Sequence, residues 1–355
     1  MIPGIQQSAF QATVDGKQTD LYTLKNSNGM EVAITNYGAA IIGIYVPDKN
    51  GNFENVIGGH DSIEAILNSS QKYLSTTIGR YGNRIARGQF YLNGKKYQLP
   101  QNEGNNTLHG GMKGFNKKVW DVTPMNDQTI VLKYTSPYGE EGFTGEMKVT
   151  VIYSLTEENE LCIEYLATTN KTTIAALTNH AFFSLGGIKN PTATVDNQIL
   201  EMNADFYLPV DTECIPTGEI LKVEGTPFDF RKPKAIGLEQ NADHEQIKNG
   251  SGYDHNYVLN KREEGELSFA ARLTEPESGR TLEVYTTEPG CQLYCDNFVR
   301  DIVGPEGATF PRRSAVCLET QHFPDSPNRN YFPSVVLRPG ERLKSKTIYK
   351  FGVVE

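Results

Sequence analysis

The chain contains 355 residues, with 34 Lys and Arg against 43 Asp and Glu, so its formal net charge is −9. This acidic balance argues against nucleic acid as a partner, because no basic surplus is available to neutralise phosphates. The composition, 38% apolar and 22% charged, is ordinary for a globular protein, and no apolar run reaches the roughly 18 residues of a membrane span.

Short strands with turn residues between them dominate the pattern. Ile42, Ile44 and Val46 alternate ahead of a Pro-Asp pair, as in a half-buried strand. Residues 90–97 read FYLNGKKY, and the central Asn-Gly pair supplies the positive φ angles of a type I′ turn, so a hairpin is predicted here. Further alternating segments follow at Val149, Val151 and Tyr153, at Leu161, Ile163 and Tyr165, at Leu267, Phe269, Ala271 and Leu273, and at Leu282 and Val284.

Helical signals are few. Residues 61–64, DSIE, have the pattern of a capping box and predict a short helix that ends near Asn68. Strands do not alternate with helices, which argues against a parallel sheet. We therefore predict an all-β fold, a large sandwich of antiparallel sheets with few short helices. No linker or shift of composition marks a boundary, so residues 1–355 are expected to form a single domain.

The cysteines and the N-terminus bear on the compartment. Five cysteines are an odd number and form no CxxC pair, so free thiols in a reducing compartment fit better than a disulfide framework. No charged segment followed by an apolar one opens the chain, so no signal peptide is visible. We expect a cytoplasmic protein, with a processed secreted form as the alternative.

Three of the six histidines have informative neighbours. His109 lies in a loop that reads NTLHGG, where glycine lets the backbone come close to a ligand. His180 lies in TNHAFFSL, near the end of a strand among apolar residues, and His255 lies in the polar and aromatic cluster YDHNY. The alternative for His109 is a surface turn histidine, and that for His180 is a core histidine bonded to one carbonyl. The alternative for His255 is an ordinary loop.

A carboxylate and two arginines are further candidates. Glu319 and Cys317 share one side of a predicted strand, and Glu319 is either an exposed edge charge or a group held in a cleft. Arg80 and Arg84 lie in the glycine-punctuated segment GRYGNRI. Arg84 can offer a fork of donors to hydroxyl groups or a carboxylate, and the alternative is a structural arginine that binds loop carbonyls.

The residue types also admit a metal site. His109, His180, Asp254 and Glu319 are all potential ligands, but no His-x-His pair or similar short spacing supports one. Walker, GxGxxG, HExxH and GxSxG motifs are absent from the sequence. We predict no metal and no cofactor.

Six segments taken together resemble one family, the aldose 1-epimerases, or galactose mutarotases. They follow the family's order over nearly the whole chain, and six in order are specific although each alone is weak. The segments are GRYGNRI (79–85), NTLHGG (106–111), TNHAFFSL (178–185), YDHNY (253–257), PGCQLY (289–294) and ETQHFPDSP (319–327).

The resemblance implies a β-supersandwich enzyme with a cleft on one sheet. It implies that His180 is the general acid, that Glu319 is the general base, and that His109 binds and polarises the sugar. It further implies substrate contacts at Asn83, Arg84, Asp254 and Gln292. The implied activity interconverts the α and β anomers of aldohexoses such as glucose and galactose.

The chemistry of this reaction matches those residue types. Ring opening needs a base for the C1 hydroxyl and an acid for the ring oxygen, which Glu319 and protonated His180 would provide. A nearby carboxylate such as Asp254 is expected to raise the pKa of His180, and turnover is expected to be bell-shaped in pH. We expect a neutral sugar as the ligand and a monomer or homodimer.

Two other functions are compatible with this pattern. A glycoside hydrolase or lyase on a similar β-fold would use two carboxylates, for which Asp254 and Glu319 are candidates. A non-catalytic sugar-binding module would need neither an acid nor a base.

Overall fold

The computed structural model describes residues 2–189, 194–298 and 302–354. In these residues short strands are joined by turns, and the two α-helices are α1 (Ile63–Asn68) and α2 (Glu245–Asn249). The strands are β1 (Ala12–Val14), β2 (Lys17–Thr19), β3 (Leu21–Lys25), β4 (Glu31–Thr35), β5 (Ala40–Pro47), β6 (Phe53–Asn55), β7 (Thr77–Ile78), β8 (Arg84–Ile85), β9 (Gln89–Leu92), β10 (Lys95–Gln98), β11 (Thr107–Leu108), β12 (Asp121–Asn126), β13 (Thr129–Ser136), β14 (Met147–Leu155), β15 (Glu160–Thr169), β16 (Thr173–Ile174), β17 (Thr178–Asn179), β18 (Ile199–Met202), β19 (Phe206–Tyr207), β20 (Leu221–Lys222), β21 (Lys234–Ala235), β22 (Asp254–Val258), β23 (Ser268–Thr274), β24 (Arg280–Thr286), β25 (Gly290–Tyr294), β26 (Ile302–Val303), β27 (Thr309–Phe310), β28 (Cys317–Gln321), β29 (Val336–Leu337) and β30 (Leu343–Val353).

Three larger sheets organise these strands. A nine-stranded sheet has the order β12-β13-β14-β15-β30-β24-β23-β18-β21, a five-stranded sheet the order β20-β19-β22-β25-β28, and a four-stranded sheet the order β3-β4-β5-β6. Neighbouring strands within each sheet run antiparallel. The predicted all-β antiparallel architecture with few short helices is confirmed.

The five-stranded and nine-stranded sheets pack face to face. The hydroxyls of Thr320 on β28 and Thr347 on β30 lie 2.6 Å apart, and the Tyr349 hydroxyl donates to the Leu318 carbonyl at 3.4 Å. One cluster of buried apolar side chains contains members of all three larger sheets. Because Leu318 and Thr320 face the nine-stranded sheet, Glu319 between them faces the other way. The expectation of a single domain over residues 1–355 stays a prediction.

Local predictions can be checked against these elements. Asn93 and Gly94 have φ angles of 51° and 75° between β9 and β10, which confirms the type I′ hairpin. Helix α1 ends at Asn68 as predicted, and Ser62 caps it by accepting a hydrogen bond from the Ala65 backbone N–H at 3.2 Å. The short helix is therefore confirmed.

The predicted alternation fails in two strands. In β5 a register shift opposite Ala33 and Ile34 places Ile42 in a different apolar cluster from Ile44 and Val46. In β23 a bulge between Phe269 and Ala271 shifts the register, so Ala270 is buried beside Ala271, and Phe269 is only half-buried. Leu267 precedes the strand and is exposed. An extra residue in one strand of a pair reverses the faces on either side of it, and a sequence pattern with period two does not reveal such a residue.

Candidate active site

One face of the five-stranded sheet carries three of the predicted site residues. Gln292 on β25 lies directly opposite Glu319 on β28, and Asp254 lies at the start of β22 on the other side of β25. The Gln292 side-chain amide donates to the Asp254 carboxylate at 2.6 Å. Strand pairing alone therefore brings together residues that are 65 positions apart in the chain (Asp254 to Glu319).

His180 comes from a different part of the fold. It follows β17, and its backbone N–H and C=O bond to Thr76 and Ser75 at 3.0 Å each. The ring packs against Phe182 with 4.9 Å between ring centroids, and Tyr294 meets its edge at 5.9 Å. His180 Nε2 lies 3.5 Å from Glu319 Oε1, and both side chains are buried.

His109 is fixed by the backbone of the segment 83–84. Strand β11 pairs with β8, so Leu108 lies opposite Arg84. The His109 N–H donates to the Asn83 carbonyl, and the Asn83 N–H donates to His109 Nδ1, both at 3.1 Å. A neutral His109 therefore carries its proton on Nε2. Its ring centroid lies 5.1 Å from that of His180.

A glycine makes the loop after His109 possible. Gly110 has a φ angle of 86°, and a Cβ atom added there would lie 2.0 Å from the Gly79 carbonyl oxygen. Any other residue would both strain this backbone and collide with the neighbouring segment. The glycine after His109 thus allows the backbone at Gly110 to lie directly against the backbone at Gly79.

The two arginines of the GRYGNRI segment have different environments. Arg80 is buried and donates to the carbonyls of Thr144, Ser136 and Pro137, so it is the structural arginine that we considered as the alternative for Arg84. Arg84 points toward the predicted site. Its Nε and Nη2 donate to the two Glu103 oxygens at 2.7 Å each, and its Nη1 lies 3.8 Å from Asp254 Oδ2.

The structure thus brings together all seven predicted residues: Asn83, Arg84, His109, His180, Asp254, Gln292 and Glu319. His255 does not join them. Its side chain lies on the opposite face of β22 from that of Asp254, is fully buried, and packs on Phe228 at 4.5 Å between centroids. It is a core histidine, as alternation along a strand requires.

Sequence reasoning missed four neighbours of these residues. Glu103 binds Arg84, Tyr73 packs on His109 at 4.6 Å between centroids, and Phe182 and Tyr294 surround His180. The only sequence signal for Glu103 is its place six residues before His109. That spacing carries no chemistry until the turn between the two residues is known.

Burial governs the protonation of the two central groups. Burial, together with the neighbouring Asp254 carboxylate, raises the pKa of Glu319 well above its ordinary value, although Arg84 opposes this. Burial and the charge of Arg84 lower the pKa of His180 to about 4. The expectation that Asp254 raises the pKa of His180 is therefore wrong, because desolvation of the imidazolium outweighs any attraction to that carboxylate.

His109 is neutral for the same reason. Burial lowers the pKa of His109 well below its ordinary value, and His180 and Arg84 add to the effect. Burial also raises the pKa of Asp254, while Arg84 and the Gln292 amide oppose the rise. The arrangement thus holds a neutral hydrogen-bond donor, an acid–base pair and an arginine in one place.

Three ligand-type atoms of His109, His180 and Glu319 lie within 4.8 Å of one another. A metal would need the lone pair of His109 Nε2, which would place the proton of that ring on Nδ1. The Asn83 N–H already points at Nδ1, so the metal-binding tautomer would set two donors against each other. This set therefore fits a metal ion poorly. The prediction of no metal and no cofactor stays a prediction.

Comparison with known proteins agrees with this arrangement. The family model described as "Aldose 1-epimerase" matches residues 20–350. Galactose mutarotase from Bos taurus is 42% identical over 328 residues, which is 92% of either chain. Aldose 1-epimerase from Escherichia coli is 36% identical over 339 residues, 95% of this chain and 96% of that protein.

The fold agrees as well. A crystal structure of an aldose epimerase homologue from C. elegans superposes with a TM-score of 0.87 at 30% identity, and the match covers 95% of this chain and 100% of that one. No helix among the described residues is both long and apolar enough to cross a membrane. From the family match, the identity to full-length relatives and the shared fold, we conclude that the chain belongs to the aldose 1-epimerase family.

Proposed function

We propose that this protein interconverts the α and β anomers of aldohexoses such as glucose and galactose, with His180 as general acid and Glu319 as general base. The observation that carries the proposal is the 3.5 Å separation of His180 Nε2 and Glu319 Oε1 in a buried position. Mutarotation acts on two oxygens bonded to the same carbon, C1. An acid and a base that serve these two oxygens must be close neighbours, as this pair is.

The reaction is a pair of proton transfers. In ring opening, the Glu319 carboxylate removes the proton of the C1 hydroxyl while the His180 imidazolium protonates the ring oxygen. The bond from C1 to the ring oxygen breaks, and an aldehyde forms. After rotation about C1–C2, neutral His180 takes back the proton of the hydroxyl that was the ring oxygen, and protonated Glu319 gives its proton to the aldehyde oxygen. The ring then closes on the other face. Each positioned transfer contributes on the order of 10²–10⁴-fold.

The pair shares one proton throughout this cycle. A charged pair of carboxylate and imidazolium holds as many protons as a neutral pair of carboxylic acid and imidazole. Burial favours the neutral pair in the empty site, since it raises the pKa of Glu319 and lowers that of His180. The neutral pair is the form needed for ring closure, and one shift of a proton within the pair gives the form needed for ring opening.

The remaining predicted residues would hold the sugar. His109 would donate from Nε2–H, and Arg84 from Nη1, to hydroxyl oxygens, while Asp254 would accept from a hydroxyl. Among the residues that the structure describes, Gln292 Oε1 and Glu319 Oε2 are buried without a hydrogen-bond partner, as expected of groups that await a ligand. We assign Asn83 to the same set, because its backbone fixes the ring of His109.

Polarimetry on freshly dissolved α-galactose and α-glucose tests this function, beside a reducing-end assay on oligosaccharides. The proposal predicts that optical rotation reaches equilibrium far faster than in buffer and that no new reducing ends appear. New reducing ends would instead favour a glycoside hydrolase. Sugar binding without faster mutarotation would favour a binding module.

We further propose a reducing, cytoplasmic compartment for this enzyme. All five cysteines are unpaired, and four of them, Cys162, Cys291, Cys295 and Cys317, are buried. Retention of full activity in millimolar thiol, with no shift of mobility on a non-reducing gel, is the expected result. That the protein is a monomer or a homodimer stays a prediction.

A further inference from the structure

Arg84 lies between two carboxylates that hold it differently. Glu103 takes Nε and Nη2 in a two-bonded fork with distances of 2.7 Å, whereas Asp254 Oδ2 lies 3.8 Å from Nη1. The Arg84 side chain is only 9% exposed, and Asp254 is 8% exposed. Two of the three guanidinium nitrogens are therefore occupied, and one remains directed to the site.

The sharing of Arg84 nitrogens between Glu103 and Asp254 matters because a guanidinium binds one carboxylate best, through two parallel hydrogen bonds. Without Glu103, Arg84 would be free to turn its fork onto Asp254. Asp254 would then lose accepting capacity for a sugar hydroxyl, and the free nitrogen of Arg84 would be lost with it. The fork to Glu103 thus keeps both Arg84 and Asp254 available.

We propose that Glu103 is a positioning residue of the active site, which acts through Arg84 by fixing the plane of the guanidinium and leaving Asp254 free for the sugar. The proposal rests on the proposed function. Glu103 itself need not contact the substrate, because both of its oxygens are used by Arg84.

The backbone around Glu103 is anchored to the loop of His109. Glu103 and Asn106 exchange two backbone hydrogen bonds, at 2.8 and 3.2 Å. The neighbouring Asn102 accepts from the Leu108 N–H at 2.8 Å and donates to the Leu108 carbonyl at 2.9 Å. The fork therefore ties Arg84 to the same hydrogen-bonded segment that carries His109.

Glu103 also has an electrostatic consequence. The positive charge of Arg84 lowers the pKa of both His180 and Glu319. Glu103 offsets that charge, so its neutralisation leaves Arg84 more strongly positive toward the pair. Both limbs of the pH profile should then move to lower pH, which loss of a purely structural contact would not produce.

The first test is Glu103→Gln, assayed by mutarotation kinetics across pH. We expect KM to rise about tenfold or more, because a charged fork is lost, with a smaller change in kcat. Both pH limbs should move to lower pH. Glu266→Gln is the matched control, since it removes a carboxylate that accepts hydrogen bonds from the Nε and the backbone N–H of the exposed Arg262, and it should leave KM and both limbs unchanged.

A double-mutant cycle with Arg84→Lys tests whether Glu103 acts through Arg84. Lysine has no fork, so we expect Glu103→Gln to change kcat/KM less than about twofold in that background. Equal effects of Glu103→Gln in both backgrounds would overturn the proposal, as would an unchanged KM and pH profile in the single variant.

Glu103→Asp keeps the test decisive if Glu103→Gln does not fold. Aspartate retains the charge but shortens the reach, so KM should rise while both pH limbs stay in place. Wild-type kinetics in both Glu103→Asp and Glu103→Gln would overturn the inference. A wild-type protein that does not accelerate mutarotation would instead refute the proposed function, so the two failures are distinguishable.

Discussion

At the scale of single residues, the two histidines of the site differ because one is fixed by backbone and the other faces a carboxylate. Asn83 donates to His109 Nδ1, which leaves His109 a neutral donor at Nε2. His180 faces Glu319 with Nε2 at 3.5 Å and can exchange a proton with it. In the proposed mechanism, identical side chains therefore have separate tasks, hydrogen bonding for His109 and proton transfer for His180.

The first prediction concerns His109. Because it stays neutral, His109→Gln should reduce kcat/KM by about tenfold through the lost or misplaced hydrogen bond, without moving the pH limbs. Kinetics over a pH series measure both quantities. A moved limb would contradict the assignment, since it would show that His109 carries a charge in the working range.

The second prediction concerns the pH profile of the wild-type enzyme. In the proposed mechanism, activity requires one proton on the pair of His180 and Glu319. At low pH a second proton is added to His180, whose pKa is about 4, and at high pH the proton is lost from Glu319, whose pKa is raised. The profile should therefore be bell-shaped, with the low-pH limb due to His180 and the high-pH limb due to Glu319. Unperturbed pKa values would assign the two limbs the other way round.

Infrared difference spectroscopy checks the assignment of that proton. Between the two limbs of the profile, wild-type protein should show a carboxylic acid band that Glu319→Gln lacks. A spectrum with only carboxylate bands at Glu319 would contradict the neutral pair in the empty site.

At the scale of elements, the site depends on strand register and on one tight loop. Asp254, Gln292 and Glu319 meet because β22, β25 and β28 pair in register. His109 enters from β11, whose partner β8 begins at Arg84. Shifting one strand by a residue would turn its site residue to the opposite face.

The third prediction tests the loop after His109. Gly110→Ala should destabilise the protein by about 1–3 kcal/mol beyond the cost of its positive φ angle, because the new Cβ would meet the Gly79 carbonyl. Activity should fall with it. The control is Gly94→Ala, in the β9–β10 turn, where φ is 75° and no atom lies within 4 Å.

Urea unfolding and kinetics distinguish the two glycine variants. Gly94→Ala should cost only about 1 kcal/mol and keep kcat/KM, since left-handed backbone strain is its only penalty. Equal stability and activity in both variants would show that the contact between Gly110 and Gly79 is unimportant.

The sequence was informative about elements where local chemistry decides them. The Asn93-Gly94 hairpin, helix α1 and the side of β28 that carries Glu319 followed from turn residues, capping and alternation. The bulge in β23, the fork from Glu103 to Arg84 and the burial of His180 depend on contacts between distant segments. No local pattern encodes these contacts, and the pKa of His180 was mispredicted for that reason.

At the scale of the whole molecule, a second ionisable pair joins two segments, each of which follows a strand of one of the two main sheets. His322 follows β28, and its Nδ1 lies 2.6 Å from a Glu288 oxygen just after β24. The pair lies in an open cleft of about 1380 Å³, whose lining includes none of the seven site residues. We therefore expect the His322–Glu288 pair to contribute to the stability of the fold and not to the chemistry.

The fourth prediction concerns the pH dependence of stability. Burial lowers the pKa of His322, but the charge and hydrogen bond of Glu288 outweigh it and raise the pKa overall. Its stabilising contribution is therefore complete below the ordinary pKa of about 6.5 and is lost as the pH rises through the higher folded value.

Urea unfolding of wild type and His322→Gln measures this contribution. The difference in unfolding free energy should be about 1 kcal/mol or less at about pH 5.5, because the imidazole is a quarter exposed, and smaller at about pH 8.5. A difference that grows with pH would contradict the assignment.

The net charge of −9 has a limited role in this account. A neutral sugar is not steered by a long-range field, so the acidic surface serves solubility rather than substrate capture. In the proposed mechanism, the chemistry instead depends on the His180–Glu319 pair.

The most direct measurement of that claim is the mutarotation rate of Glu319→Gln at saturating α-galactose, with sugar binding measured on the same sample. The account predicts that kcat falls by about 10²–10⁴-fold while the sugar still binds, because the amide retains the shape of the base but cannot accept the proton. A kcat close to that of the wild type would contradict it.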